Sequence, residues 1–284
     1  MTFGRVLRLS VAALAVVAGC SSVGRPVGDA PLRYRDAVFP DVAITRDLEY
    51  GTAPAADGSP VRLLLDLYQP AGDTVAARPA VVWAHGGGFS GGSKRSGPSP
   101  AFAAFFARLG YVAVSIDYRL LAPRGCSGGS SGSACSSAAA AATEDAKAAV
   151  RWLRANAAAY RIDPERIAIG GESAGAIMAT WVGLTPDPAS RVQGWISISG
   201  GLPSGALAGA GDAPGYLFAG TTDRIVPYQW SVDTAAALLR SGVFVVLKAF
   251  EGDGHVPYLQ HRELMETQSA WFLYGVLDLG DAAR

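Results

Sequence analysis

Charge is scarce in this chain of 284 residues: charged side chains make up 17%, the formal net charge at pH 7 is zero, and basic residues do not cluster. A nucleic-acid partner calls for a basic face, so that class of function is disfavoured. Histidine and cysteine are scarce too, three of each. A zinc site at Cys126 and Cys135 would need two more ligands, and no histidine lies near them in sequence. Long apolar runs are missing beyond residues 9–18, and that run is short of the roughly 20 residues a bilayer requires. Hydrophobic residues nevertheless reach 50%, which suits a well-buried core and excludes a disordered chain.

The N-terminus reads as an export signal. Arg5 and Arg8 precede the apolar run, Ser10 is its one polar residue, and it ends Val17-Ala18-Gly19-Cys20 before two serines. This end resembles the lipobox of bacterial lipoproteins, whose cysteine becomes the lipidated first residue, although leucine is usual where Val17 stands. A plain cleaved signal with a chance cysteine is the alternative. The expectation is therefore a signal over residues 1–19 and a lipid on Cys20. The protein would face outward from a bacterial cell membrane, held by that lipid alone, or else be secreted. Residues 20–40, with glycine, proline and small polar residues, are expected to form a tether, and residues 41–280 one large domain. In an exported protein Cys126 and Cys135, separated by a Gly/Ser loop, are most simply a disulfide.

Short apolar runs alternate with helical patterns along that domain. Strands are predicted at 44–51 and 61–68 as an antiparallel pair, then at 80–84, 111–116, 166–169, 195–199, 216–219 and 244–247. Helices are predicted at 101–109, at 143–160 with Thr143 as its cap, and after Ala174, Tyr228 and Pro257. Such alternation implies an α/β fold, a mostly parallel twisted sheet with helices on both faces. Functional groups in such folds gather beyond the carboxyl ends of the strands.

The most informative stretch lies at one such end. Gly171-Glu172-Ser173-Ala174-Gly175 follows an apolar run and opens a helix. In a chain with 35 glycines a bare G-x-S-x-G means little, but strand, motif and helix together indicate a nucleophile elbow presenting Ser173. His85-Gly86-Gly87-Gly88-Phe89 follows the strand at 80–84, and its glycines allow backbone amides to converge. It matches the H-G-G-G oxyanion motif, giving Gly87, Gly88 and Ala174 as donors. His255, in the loop after the strand at 244–247, is the best general base. His85 is committed to the glycine loop, and His261 sits in a polar helical stretch as a surface residue. Asp223, after the strand at 216–219, is the best acid, with Asp253 as runner-up; Glu172 and Asp117 read as structural. Phe89, Trp181 and the loop between the cysteines are candidates for lining a pocket.

These motifs, with Asp117-Tyr118-Arg119-Leu120 and Glu144-Asp145, resemble the α/β-hydrolase superfamily over residues 60–275. Within it the resemblance is to esterases related to hormone-sensitive lipase and the type B carboxylesterases. It implies an α/β-hydrolase fold, hydrolysis of a small-molecule carboxylic ester through an acyl-enzyme, no cofactor, and a structural role for Asp-Tyr-Arg. Two features depart from the hormone-sensitive-lipase pattern: Glu172 stands where aspartate is usual, and no Asp-Pro-Leu surrounds the acid. The helical cap domain also has no counterpart. A feruloyl or acetylxylan esterase, a peptidase or amidase, and a binding lipoprotein on an inactive hydrolase fold are the remaining readings.

Overall fold

In the computed structural model, residues 22–29, 31–121, 133–185, 187–202, 208–280 and 282 are described. Cys20 and Cys126 lie outside them. Cys135 lies within them and is disulfide-bonded.

Eight strands form one sheet among the described residues, in the order β1-β2-β4-β3-β5-β6-β7-β8. They are β1 (Val42–Pro54), β2 (Pro60–Pro70), β3 (Arg78–Ala84), β4 (Val112–Ile116), β5 (Ile162–Glu172), β6 (Gly194–Ile198), β7 (Gly215–Gly220) and β8 (Val245–Phe250). β1 and β2 pair antiparallel, β2 runs antiparallel to β4, and every later pairing is parallel. β3 and β4 are buried at every residue, as a parallel strand covered on both faces must be. This is the α/β-hydrolase fold that the alternation and the motifs led us to expect.

The helices are α1 (Ser99–Leu109), α2 (Ser133–Ala155), α3 (Ala157–Tyr160), α4 (Ala174–Gly183), α5 (Tyr228–Arg240) and α6 (Tyr258–Val276). They divide the core into two clusters. Ala142 and Leu153 of α2, Met178 of α4 and Leu238 of α5 pack on one face with Val82 and Val114. Phe102 and Phe106 of α1 and Phe272 of α6 pack on the other with Trp83 and Phe218. From β4 the chain passes back across β3 to form β5, so the strand order reverses beside β3. A crevice at such a reversal is where α/β sheets hold ligands.

Two expectations need correction. Thr143 does not begin a helix: α2 already runs from Ser133, and the Thr143 hydroxyl donates to the Ala139 carbonyl at 2.8 Å. Residues 138–142 are all alanine, the strongest helix former, and they carry the helix back past the capping signal. Residues 22–40 are not a free tether in their described part. The Val23 amide donates to Gln268 Oε1 on α6 at 2.6 Å. Tyr34 is wholly buried and its amide donates to the Leu109 carbonyl at 2.7 Å. Arg35, 3% exposed, donates to the carbonyls of Pro26 and Gly28. Val23, Leu32 and Tyr34 join the core cluster of α1 and α6, contacts of which the segment's small-residue composition gives no sign.

Candidate active site

The elbow between β5 and α4 places Ser173 at φ 53°, ψ −117°, a strained conformation for a residue with a side chain. The positive φ therefore falls on the serine and not on the flanking glycines. Their role is close approach. A Cβ on Gly175 would lie 2.0 Å from the Ala84 oxygen, and one on Gly171 2.6 Å from the same atom. Only glycine lets the elbow press against the end of β3. The Ser173 amide donates to the Ile198 carbonyl at 2.9 Å, tying the turn to β6 as well.

The ends of β5, β7 and β8 converge here. His255, in the loop between β8 and α6, places Nε2 2.8 Å from Ser173 Oγ and Nδ1 2.7 Å from Asp223 Oδ2. With the proton on Nδ1, the ring donates to Asp223 and accepts from the serine hydroxyl. Asp223 Oδ1 accepts the amides of Ile225 and Val226 at 2.8 and 3.0 Å. Burial alone would raise this carboxyl. The bond from His255 and the two amides outweigh it and hold the group below its ordinary value, charged at neutral pH.

The runner-up acid is occupied elsewhere. Asp253 Oδ2 lies 2.5 Å from His261 Nε2, and the His261 ring stacks on Phe250 at 4.2 Å. His261 is thus half-buried and paired, not a free surface residue. Sequence reasoning also missed Thr222, whose amide and hydroxyl donate to the Asp253 carbonyl at 2.9 and 2.8 Å. That contact locks the Asp223 turn to the His255 loop. Ser199 was missed as well; its Oγ accepts the amide of Val256, beside the histidine, at 2.9 Å. No local motif marks either residue, because each acts across a gap of many positions.

The glycine loop after β3 faces the serine. Gly87 and Gly88 adopt φ of 124° and 60°. Gly87 has no alternative, since a Cβ there would meet the Gly91 oxygen at 2.0 Å. Among the hydrogen bonds of the described residues, none has the amide of Gly87, Gly88 or Ala174 as donor. All three residues line a cavity of about 600 Å³ with Ser173 and His255, walled by Phe89, Ile177, Ile225, Val226 and Val256. Trp181 is not among the lining residues; it packs against the core from α4.

His85 is buried, stacks on Tyr118 at 4.3 Å and places Nδ1 2.6 Å from the Gly86 carbonyl. Burial lowers its pKa, so it braces the loop as a neutral ring. Asp117, Tyr118 and Arg119 each tie a different segment. Asp117 accepts the Lys94 amide and ammonium, both at 2.7 Å; the Tyr118 hydroxyl donates to the His85 carbonyl at 2.8 Å; Arg119 forks onto Asp145. Their structural reading agrees with these contacts.

Comparison with known proteins fits this geometry. Family models described as BD-FAE and as Phospholipase/Carboxylesterase match residues 65–193 and 133–270. Carboxylesterase 3B of Mus musculus is 34% identical over 139 residues, 49% of this chain and 23% of that protein. Phenmedipham hydrolase of Pseudarthrobacter oxydans is 40% identical over 116 residues, 40% of this chain and 21% of that protein. The match thus spans under a quarter of the length of either curated relative. Thermogutta terrifontis esterase 2 aligns along nearly its whole length. Its butyrate-bound structure is 25% identical, with a TM-score of 0.67, covering 86% of this chain and 97% of that one. A structure of the same esterase phosphorylated by paraoxon is 26% identical, with the same TM-score and coverage.

Proposed function

We propose that this chain, which belongs to the α/β-hydrolase superfamily among the esterases of the carboxylesterase and hormone-sensitive-lipase type, is a serine hydrolase of carboxylic esters. The observation that carries the reading is the unbroken hydrogen-bonded row Ser173–His255–Asp223 beside three amides that have no acceptor among the described residues.

The chemistry follows from that geometry. Ser173 Oγ attacks the ester carbonyl carbon while His255 Nε2 takes its proton, and the carbonyl oxygen becomes an oxyanion. Amides of Gly87, Gly88 and Ala174 hold that charge; each such donor typically lowers the barrier by about 3–4 kcal/mol. Asp223 stays ionised and stabilises the imidazolium. The tetrahedral species collapses, His255 gives its proton to the departing alkoxide, and the acyl group remains on Ser173. Water, deprotonated by His255, then releases the acid and restores the serine.

An apolar cavity of about 600 Å³ supports small ester substrates with a short acyl chain. The butyrate held by Thermogutta terrifontis esterase 2 points the same way. The test is hydrolysis of p-nitrophenyl esters from acetate to palmitate, with methyl ferulate and acetylated xylan alongside, by the protein and its Ser173→Ala variant. The reading requires hydrolysis that favours acetate or butyrate and vanishes with the serine hydroxyl. Activity that survives in the variant would remove Ser173 from the mechanism.

The same reading includes export, a lipid on Cys20 and a disulfide between Cys126 and Cys135, supported by the basic, apolar and cysteine-ended leader. Fractionation of the producing cell tests the anchor: Cys20→Ser should move the protein from membrane to soluble fraction.

A further inference from the structure

One carboxyl group at the site takes no part in the triad. Glu172 precedes Ser173 and is 3% exposed. Its Oε2 accepts the indole N–H of Trp83 at 2.8 Å. Its Oε1 accepts the Gly86 amide and the Ser99 hydroxyl, each at 3.1 Å. Gly86 begins the glycine loop and Ser99 begins α1, so one side chain fastens both ends of that loop to the residue beside the nucleophile. Gly97 closes on the same oxygen, where an added Cβ would lie 3.1 Å from Oε1.

The groups around Glu172 supply hydrogen bonds but no countercharge. Tyr118, beyond β4, and Tyr258, on α6, both feel its charge; their hydroxyls donate to the His85 carbonyl and to Glu266. On the loop itself, buried His85 is held neutral, and His255 lies on the same cavity. Among the described residues no lysine, arginine or histidine pairs with this carboxyl. Burial pushes it up to about 8 against the opposing pull of the Trp83, Gly86 and Ser99 bonds.

We infer that Glu172 is a positioning residue that works as a neutral acid, holding the oxyanion loop in place while keeping negative charge away from the oxyanion. The inference rests on the esterase reading of the site. A carboxylate here would oppose the charge that develops on the substrate oxygen in the cavity that Glu172 also lines. Ionisation of Glu172 therefore lowers turnover at alkaline pH.

The experiment is the pH profile of kcat for p-nitrophenyl butyrate, corrected for spontaneous hydrolysis, from pH 6 to 10. Wild type, Glu172→Gln and Ser99→Ala are compared, with the melting temperature taken at each pH. A group titrating near pH 8 is about nine-tenths neutral at pH 7 and one-tenth at pH 9, so wild-type kcat should fall about ten-fold between them. Glu172→Gln should show a lower plateau, because its amide leaves either Trp83 or Gly86 facing a donor, but no alkaline fall. Ser99→Ala removes a bond that favours the charged form, so its fall should move to higher pH; this variant decides the matter if Glu172→Gln does not fold. An active wild type with a flat profile to pH 9, or an unchanged fall in Glu172→Gln, overturns this inference alone. No ester hydrolysis by the wild type overturns the esterase reading and this inference together.

Discussion

Replacing Gly175 by alanine tests how the elbow and the oxyanion loop are held in register. The new Cβ would lie 2.0 Å from the Ala84 oxygen, 2.5 Å from the Ala84 carbonyl carbon and 2.8 Å from the His85 oxygen. Ordinary contact begins at 3.4 Å, and every atom met is backbone, so no rotamer change relieves the overlap. The end of β3 or the start of α4 must move by more than about 1 Å; the first leads into the glycine loop and the second begins with Ala174, so both position the proposed oxyanion donors. Misplacement on this scale typically costs about a hundred-fold in rate. Overpacking of this kind costs about 1–3 kcal/mol, which for a domain of this size lowers Tm by about 2–12 °C. The assay pairs kcat on p-nitrophenyl butyrate with thermal unfolding of the same preparation. Gly275→Ala is the control: it lies within α6 with no atom within 4 Å of the added Cβ. It should leave kcat unchanged and raise stability by up to about 1 kcal/mol. Wild-type kcat and Tm in Gly175→Ala would refute the claim that this contact sets the loop against the nucleophile.

Asp223→Asn should lower kcat by about 10³–10⁴-fold, because the amide favours the wrong imidazole tautomer. Its remaining oxygen can keep the Ile225 and Val226 amides, so Tm should change little. His261→Ala frees Asp253, whose carbonyl anchors Thr222 beside the acid. It should reduce kcat several-fold with KM unchanged, and an unaltered kcat would reduce the pair to surface decoration. Stability should fall at both pH extremes for opposite reasons. Burial raises the carboxyls of Asp66 and Asp73, but Arg95 with the Asp47 amide, and Arg33 with the Val75 amide, hold them below their ordinary value. Their stabilisation is complete above the unfolded value of about 3.9 and is lost as pH drops through the lower folded values. Glu172 is raised, so its stabilisation is complete below about 4.3 and is lost as pH climbs through about 8. Melting curves across pH should therefore fall at both ends, and Glu172→Gln should flatten only the alkaline side.

The strands and the site were largely legible because each rests on a short-range signal. β3 and β4 announce themselves as apolar runs of strand length. Ser173, Asp223 and His255 each follow such a run, where an α/β sheet exposes its loops. The start of α2 was misplaced because a polar capping pattern at Thr143 outweighed the alanine run that precedes it. The packed course of residues 22–40 was hidden for another reason: Val23 meets Gln268 across 245 positions of chain, and no local pattern encodes a partner so distant.

By itself the sequence singled out the candidate residues for the proposed chemistry and the order in which they occur, because strand length, glycine placement and the turn into a helix are set by neighbouring residues. Tertiary structure alone decided which acid faces which histidine, with Asp223 on His255 and Asp253 on His261. It decided that the strain of the elbow sits on Ser173, and that Glu172 joins both ends of the glycine loop. Each of these depends on side chains or backbones brought together from separate strands. Their contact is fixed by the register of the sheet, and the sheet exists only once the chain has folded.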